Sequence, residues 1–178
     1  VHRDIKPENI LLHDGQALVA DFGIALAATS AGSRMTETGM SLGTPHYMSP
    51  EQAMGERALD ARTDVYALGV LLYQLISNTH PTGGTAATPA AYVTALLEVE
   101  PAPLGLGDLD TILAKALRKP AAERYQTVTA LAEDLQRFLR HEPVSARPIS
   151  IGYRMDRFVR RNRAAVIAGT VAVIGLVG

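Results

Sequence analysis

The spacing of apolar positions changes along this chain, and each change marks an element. Near the start, the runs Asn9-Ile10-Leu11-Leu12 and Ala17-Leu18-Val19-Ala20 flank Asp14-Gly15. That pattern predicts two short strands around a turn. From Asp64 onward Val65, Leu68, Gly69, Leu71, Leu72, Leu75 and Ile76 leave almost no polar face, which predicts a helix buried on most sides, with Asp64 at its beginning. Pro81, Gly83, Gly84 and Pro89 break the pattern, and Ala90 to Val99 reads as a weaker helix ahead of Pro101 and Pro103.

Leu109, Ile112, Leu113, Ala116 and Leu117 follow the spacing of one helical face, with Asp108 as the expected cap and Pro120 as the stop. Val128, Leu131, Leu135, Phe138 and Leu139 predict another amphipathic helix, capped by Thr127 and ending near His141. Pro143 to Pro148 reads as a linker. The last fifteen residues, Ala164 to Gly178, carry no charge.

Composition narrows the picture only a little. Of the 178 residues, 47% are apolar, enough for one domain with a core, and the formal net charge of -1 gives no overall attraction to nucleic acid. With no cysteine, disulfides and thiolate metal sites are excluded. The histidines at 13, 46, 80 and 141 lack metal-ligand spacing and read as surface or loop residues. Charge is concentrated in one place: Arg147 to Arg163 holds six arginines and one acid, Asp156.

The candidate chemistry lies at the other end. His2-Arg3-Asp4-Ile5-Lys6-Pro7-Glu8-Asn9 is followed by Asp21-Phe22-Gly23 and then by Ser49-Pro50-Glu51. Singly, each residue has a bland reading as a turn former, a cap or a surface charge. In this order and spacing they resemble the catalytic loop, the metal-binding motif and the end of the activation segment of protein kinases, specifically the bacterial receptor-type (Hanks-type) serine/threonine branch. The resemblance extends through Asp64 and Gly69 to Arg124, over roughly the first 140 residues.

That resemblance implies a mainly α kinase C-lobe with short β-hairpins at its N-terminal end over 1–141, then a basic juxtamembrane linker over 142–163. Residues 164–178 are expected to begin a transmembrane helix. It implies ATP-dependent transfer of phosphate to serine and threonine hydroxyls of protein substrates, with Mg2+, or Mn2+ in its place, as the metal. Asp4 matches the base that orients the hydroxyl, and Lys6 the cation that follows the transferring phosphoryl group. Asn9 and Asp21 match the metal ligands. Thr44, in Gly43-Thr44-Pro45, together with Lys6 resembles the serine/threonine rather than the tyrosine class. Thr36 and Thr38 are the expected phosphorylation sites in an activation loop from Ile24 to Met48, with Arg3 as the cation that pairs with the phosphate. Phosphorylation of that loop between two copies of the chain is an expected reason for dimerisation. Glu51, Asp64 and Arg124 are expected to be architectural: Glu51 and Arg124 as a buried ion pair, Asp64 as an acceptor for the catalytic-loop backbone. Ser49 stands where the family more often has alanine, and Ser77 to Thr82 lacks the aromatic residue of the family's usual Gly-x-x-Pro-Phe.

Arginines ahead of an uncharged run place the kinase side in the cytoplasm of a single-pass protein of the inner or plasma membrane. The run is shorter than the about 20 residues of a full crossing. The family's Gly-rich loop, strand lysine and helix glutamate are absent from these residues, so the expectation is a catalytic half that is inactive in isolation. Two other readings stay open: a pseudokinase or scaffold module, and a membrane sensor whose distal domain dominates.

Overall fold

The computed structural model describes residues 1–20, 45–83, 88–148 and 150–163. Asp21, Thr36, Thr38, Thr44 and the expected membrane segment 164–178 lie outside the described residues.

The chain opens with a single 3-10 turn, Pro7–Asn9, and a hairpin of β1 (Ile10–His13) and β2 (Gln16–Val19). The strands pair antiparallel, with Ile10 opposite Val19 and His13 opposite Gln16. Asp14 and Gly15 both have positive φ, 50° and 75°, which matches the turn to the strand twist. Six α-helices are described after it: α1 (Pro50–Ala53), α2 (Ala61–Ser77), α3 (Pro89–Glu98), α4 (Asp108–Ala116), α5 (Val128–Leu139) and α6 (Ile151–Arg161), with further 3-10 turns at Pro45–Tyr47 and Ala121–Glu123.

Helix α2 is the axis of the lobe. Asp60 caps it by accepting the Arg62 N–H, so it begins a turn earlier than the apolar run suggests. One side supplies Tyr66, Val70 and Tyr73 to a core shared with Tyr92 and Leu96 of α3 and with Leu109, Leu113 and Leu117 at α4. Another side supplies Val65 to a second cluster with Ile112, Ala116, Tyr125, Leu131 and Val144. Gly69 lies where the helices come closest, since a β-carbon there would meet Ala116 Cβ and Leu117 Cδ2 at 3.1 Å. The helix is not buried to its end. Leu75 is 74% exposed and Ile76 is also exposed, because the last turn extends past the cores before Asn78 closes it with φ 54°.

One local expectation is corrected in α4. Its start is held by Asp110, whose carboxylate accepts the N–H groups of Leu104, Leu106 and Gly107. Asp108 is instead fully buried and bound to the tail. The helix ends at Ala116, whose carbonyl would need an N–H from residue 120, and Pro120 has none. Thr127 caps α5 by accepting the Ala130 N–H.

The basic stretch 142–163, read from sequence as a linker, packs on the lobe in part. Val144 is fully buried. Asp134 of α5 fastens the turn before α6, accepting hydrogen bonds from the Ser145 N–H and hydroxyl, the Ala146 N–H and the Tyr125 hydroxyl. Among the described residues, no helix is long and apolar enough to cross a membrane.

Candidate active site

The loop from His2 to Asn9 is short of regular structure, so other elements must hold it. Asp64, in the first turn of α2, accepts the His2 N–H at 2.7 Å and the Arg3 N–H at 2.8 Å. Arg3 sits at φ 70°, a conformation unfavourable for a side chain of its size, and these bonds help to stabilise it. Its carbonyl accepts a hydrogen bond from Gln52 Nε2 at 2.8 Å. Gln52 also completes a capping box with Ser49 at the start of α1, so one side chain ties the start of α1 to the His2–Asn9 loop.

His2 is buried and works from inside the loop. Its Nδ1 accepts the Asp4 N–H at 3.3 Å and its Nε2 lies 3.0 Å from the Ala20 carbonyl. Ala20 in turn donates its N–H to the Asn9 carbonyl at 2.8 Å. The residue before Asp21 is therefore held against the His2–Asn9 loop from two sides.

On this frame Asp4, Lys6 and Asn9 converge. Lys6 Nζ is 2.9 Å from Asp4 Oδ2, and Asn9 Nδ2 donates to the same oxygen at 2.9 Å and to the Asp4 carbonyl at 2.8 Å. The Asp4 side chain is 37% exposed and Asn9 is buried, so the carboxylate is open to an incoming group while its support is not. The amide nitrogen of Asn9 is the donor to Asp4, which makes its oxygen the atom it can offer to a cation. Among the described residues, no group of three or more His, Cys, Asp or Glu side chains could hold a metal. The Arg3 side chain is exposed.

Glu51, Thr63 and Arg124 form a separate buried cluster. Arg124 donates to both Glu51 oxygens, at 2.8 and 2.7 Å, and also to the carbonyls of Arg62, Arg118 and Lys119. Thr63 Oγ1 donates to Glu51 at 2.9 Å, and the guanidinium lies 4.9 Å from the Tyr66 ring centre. Burial pushes the Glu51 carboxyl up, but the hydrogen bonds from Arg124, its own N–H and Thr63, with the arginine's charge, hold it below its ordinary value. This fixes α1 to α2 and to the turn before α5.

Sequence reasoning missed three contributors. Gln52 could have been found, since Ser49-Pro50-Glu51-Gln52 is a capping-box pattern. His80 lies in a loop, as its sequence context suggests, but it is half-buried rather than free on the surface: its Nε2 lies 2.7 Å from the His46 carbonyl and its ring packs near His46 and Tyr92. Asp134 gives no sequence signal, because its partners lie in a stretch without periodicity.

The family model described as protein kinase domain matches residues 1–138. Serine/threonine-protein kinase PknB of Mycobacterium tuberculosis is 40% identical over 151 residues, covering 82% of this chain and 24% of that protein. A probable serine/threonine-protein kinase of Streptomyces coelicolor is 40% identical over 155 residues, covering 82% and 22%. One of Corynebacterium efficiens is 41% identical over 145 residues, covering 76% and 22%. The chain thus spans about a quarter of the length of the curated relatives it matches.

Proposed function

We propose, from the premise that this chain belongs to the protein kinase family and resembles its bacterial serine/threonine branch, that it is the catalytic half of a membrane-anchored kinase. The whole protein would transfer the terminal phosphoryl group of ATP to serine and threonine hydroxyls of proteins. The observation that carries this is the convergence of Lys6 and Asn9 on one oxygen of Asp4, each at 2.9 Å.

Each residue has a task in that reaction. Asp4 receives and orients the substrate hydroxyl, and takes its proton as the new P–O bond forms and the terminal phosphorus parts from the bridging oxygen that leaves with ADP. Lys6 lies beside Asp4 and offers a positive charge to the phosphoryl oxygens, where charge is greatest in transit. Asn9 and Asp21 would supply oxygen ligands to a metal, and oxygen donors of this kind suit Mg2+. The metal, when bound, neutralises phosphate charge. The chain's own part is to fix Asn9 through Asp4 and Ala20, so that its oxygen does not wander.

Thr44 is assigned to the substrate hydroxyl class, and Thr36 and Thr38 to phosphorylation sites that Arg3 engages. The 178 residues alone are expected not to turn over, because among them there is no Gly-rich loop or strand lysine of the family to grip ATP. Six arginines ahead of the uncharged run 164–178 support a single span with the lobe on the cytoplasmic side of an inner or plasma membrane.

The test is to incubate the intact protein with radiolabelled ATP and Mg2+, and to identify the amino acids that carry the phosphate. Phosphoserine or phosphothreonine formed only with metal present supports the reading. Phosphotyrosine alone would refute the serine/threonine assignment, and absence of transfer by the intact, folded protein would favour a scaffold module.

A further inference from the structure

Helix α6 has two unlike faces. One is clamped: Asp108, fully buried at the start of α4, accepts a hydrogen bond from the Tyr153 hydroxyl and pairs with Arg157 and, at 3.3 Å, with Arg147. Both guanidinium groups also lie over the Tyr153 ring, at 4.9 and 5.5 Å from its centre. The Tyr153 oxygen in turn accepts the Val144 N–H at 3.0 Å. A buried carboxylate with two arginines and a phenol holds the helix in one orientation on the lobe.

The other face is open and apolar. Ile151, Met155 and Phe158 are 86%, 60% and 51% exposed, and their spacing places them in one stripe with Val159 beside it. Arg154 and Arg161 run along the edge of that stripe, both exposed. An arginine stem can lie on an apolar surface while its head stays with anions. A shallow apolar stripe edged by arginine is the form of a helix that lies in the boundary between lipid headgroups and acyl chains.

We propose that this face of α6 binds an anionic phospholipid surface, so that the Asp108 clamp sets how the kinase lobe sits against the membrane. The inference rests on the reading of 164–178 as a membrane segment, and chain length then enforces closeness. Only Asn162 and Arg163, three Cα steps, separate Arg161 from Ala164. Even fully extended, that stretch reaches about 11 Å, so the end of α6 stays near the bilayer in any lipid, and charge decides whether the face from Ile151 to Phe158 lies down on it. Charge selects the lipid. Arg147 and Arg157 are held by Asp108, Arg160 by Asp156, and Arg161 lies 3.7 Å from Glu142. Arg154 and Arg163 are exposed with no ion pair among the described residues, so an anionic leaflet is the complementary partner.

These 178 residues hold no cysteine, so Met155→Cys, with any cysteine elsewhere in the intact protein replaced by serine, gives a single reactive thiol for an environment-sensitive fluorophore. The intact labelled protein is incorporated into vesicles of phosphatidylcholine alone, or with about 30% phosphatidylglycerol as the anionic component. Nitroxide on the lipid headgroups serves as quencher. The expected result is at least about twofold quenching in anionic vesicles, little in phosphatidylcholine, and reversal by Arg154→Glu with Arg161→Glu. Those substitutions should leave transfer to a soluble peptide unchanged, which shows that the lobe has folded.

Absence of quenching in anionic vesicles, equal quenching in both lipids, or self-quenching between labelled copies in detergent would overturn the proposal; the last would point to a second copy as the occupant. Carbonate washing judges the span separately. Protein that stays in washed membranes without quenching defeats only the docking of α6. Protein that washes out defeats the span, and quenching is then read after mixing it with preformed vesicles of the same two compositions.

Discussion

The carboxylate of Asp64 holds the backbone N–H of Arg3 at 2.8 Å, in a residue whose φ of 70° is unfavourable for an arginine. A buried helix thus sets the conformation of the loop carrying Asp4, without touching the reacting groups. Asp64→Asn keeps the shape but loses one acceptor and the charge, and leaving a buried N–H short of its partner costs about 1–3 kcal/mol. The expected outcome in the intact kinase is a fall in kcat of roughly tenfold with little change in KM for ATP. A rise in KM alone would assign Asp64 to nucleotide binding instead.

The Glu51–Arg124 pair is expected to stabilise the lobe far more than a surface ion pair does. Both partners are buried and bidentate, so Glu51→Gln or Arg124→Ala should each lower stability by about 3–5 kcal/mol in denaturant titration. The double variant should lose much less than the sum, since neither charge is then stranded. Additive losses would indicate that the two residues do not act as one unit.

Gly69→Ala tests the closeness of α2 and α4. Alanine is favoured over glycine inside a helix by about 1 kcal/mol, but its β-carbon would come to 3.1 Å of Ala116 and Leu117. Overpacking costs about 1–3 kcal/mol, so the net effect on Tm is a decrease. Ala116→Gly in the same chain should recover part of it by opening one of those contacts.

Asp134 makes stability depend on acidity. Burial raises its pKa, but hydrogen bonds from Ser145, Tyr125 and Ala146 outweigh that and hold the carboxyl below its ordinary 3.8. A depressed folded pKa means stability that is fully present above the unfolded value and lost as pH falls through the folded one. Asp134→Asn should therefore cost at least about 2 kcal/mol at neutral pH, and the gap from the parent should close as pH drops below 3.8. Glu51 titrates nearby in both proteins and cancels in the difference. A gap that is independent of pH would mean that the charge of Asp134 contributes nothing.

Much of this was legible because it is local. Two runs around Asp14-Gly15 make a hairpin by turn chemistry alone, and Thr127 ahead of an amphipathic stretch makes a capped helix. The convergence of Asp4, Lys6 and Asn9 spans only six residues, so their order nearly dictates it. What escaped depends on distant partners. Asp108 looked like a helix cap, yet the residues that claim it, Tyr153 and Arg157, lie more than forty positions away in a stretch too basic to suggest a packed face. Leu75 and Ile76 looked like core because hydropathy does not say where a neighbouring helix ends.

The most direct measurement is the single-turnover rate of phosphoryl transfer by the intact protein carrying Asp4→Asn, at saturating ATP and Mg2+ beside the unaltered protein. The account predicts a rate lower by roughly 10²- to 10⁴-fold with ATP binding retained, as loss of the proton-accepting carboxylate requires. An unchanged rate would contradict it, and would leave the convergence on Asp4 a feature of structure alone.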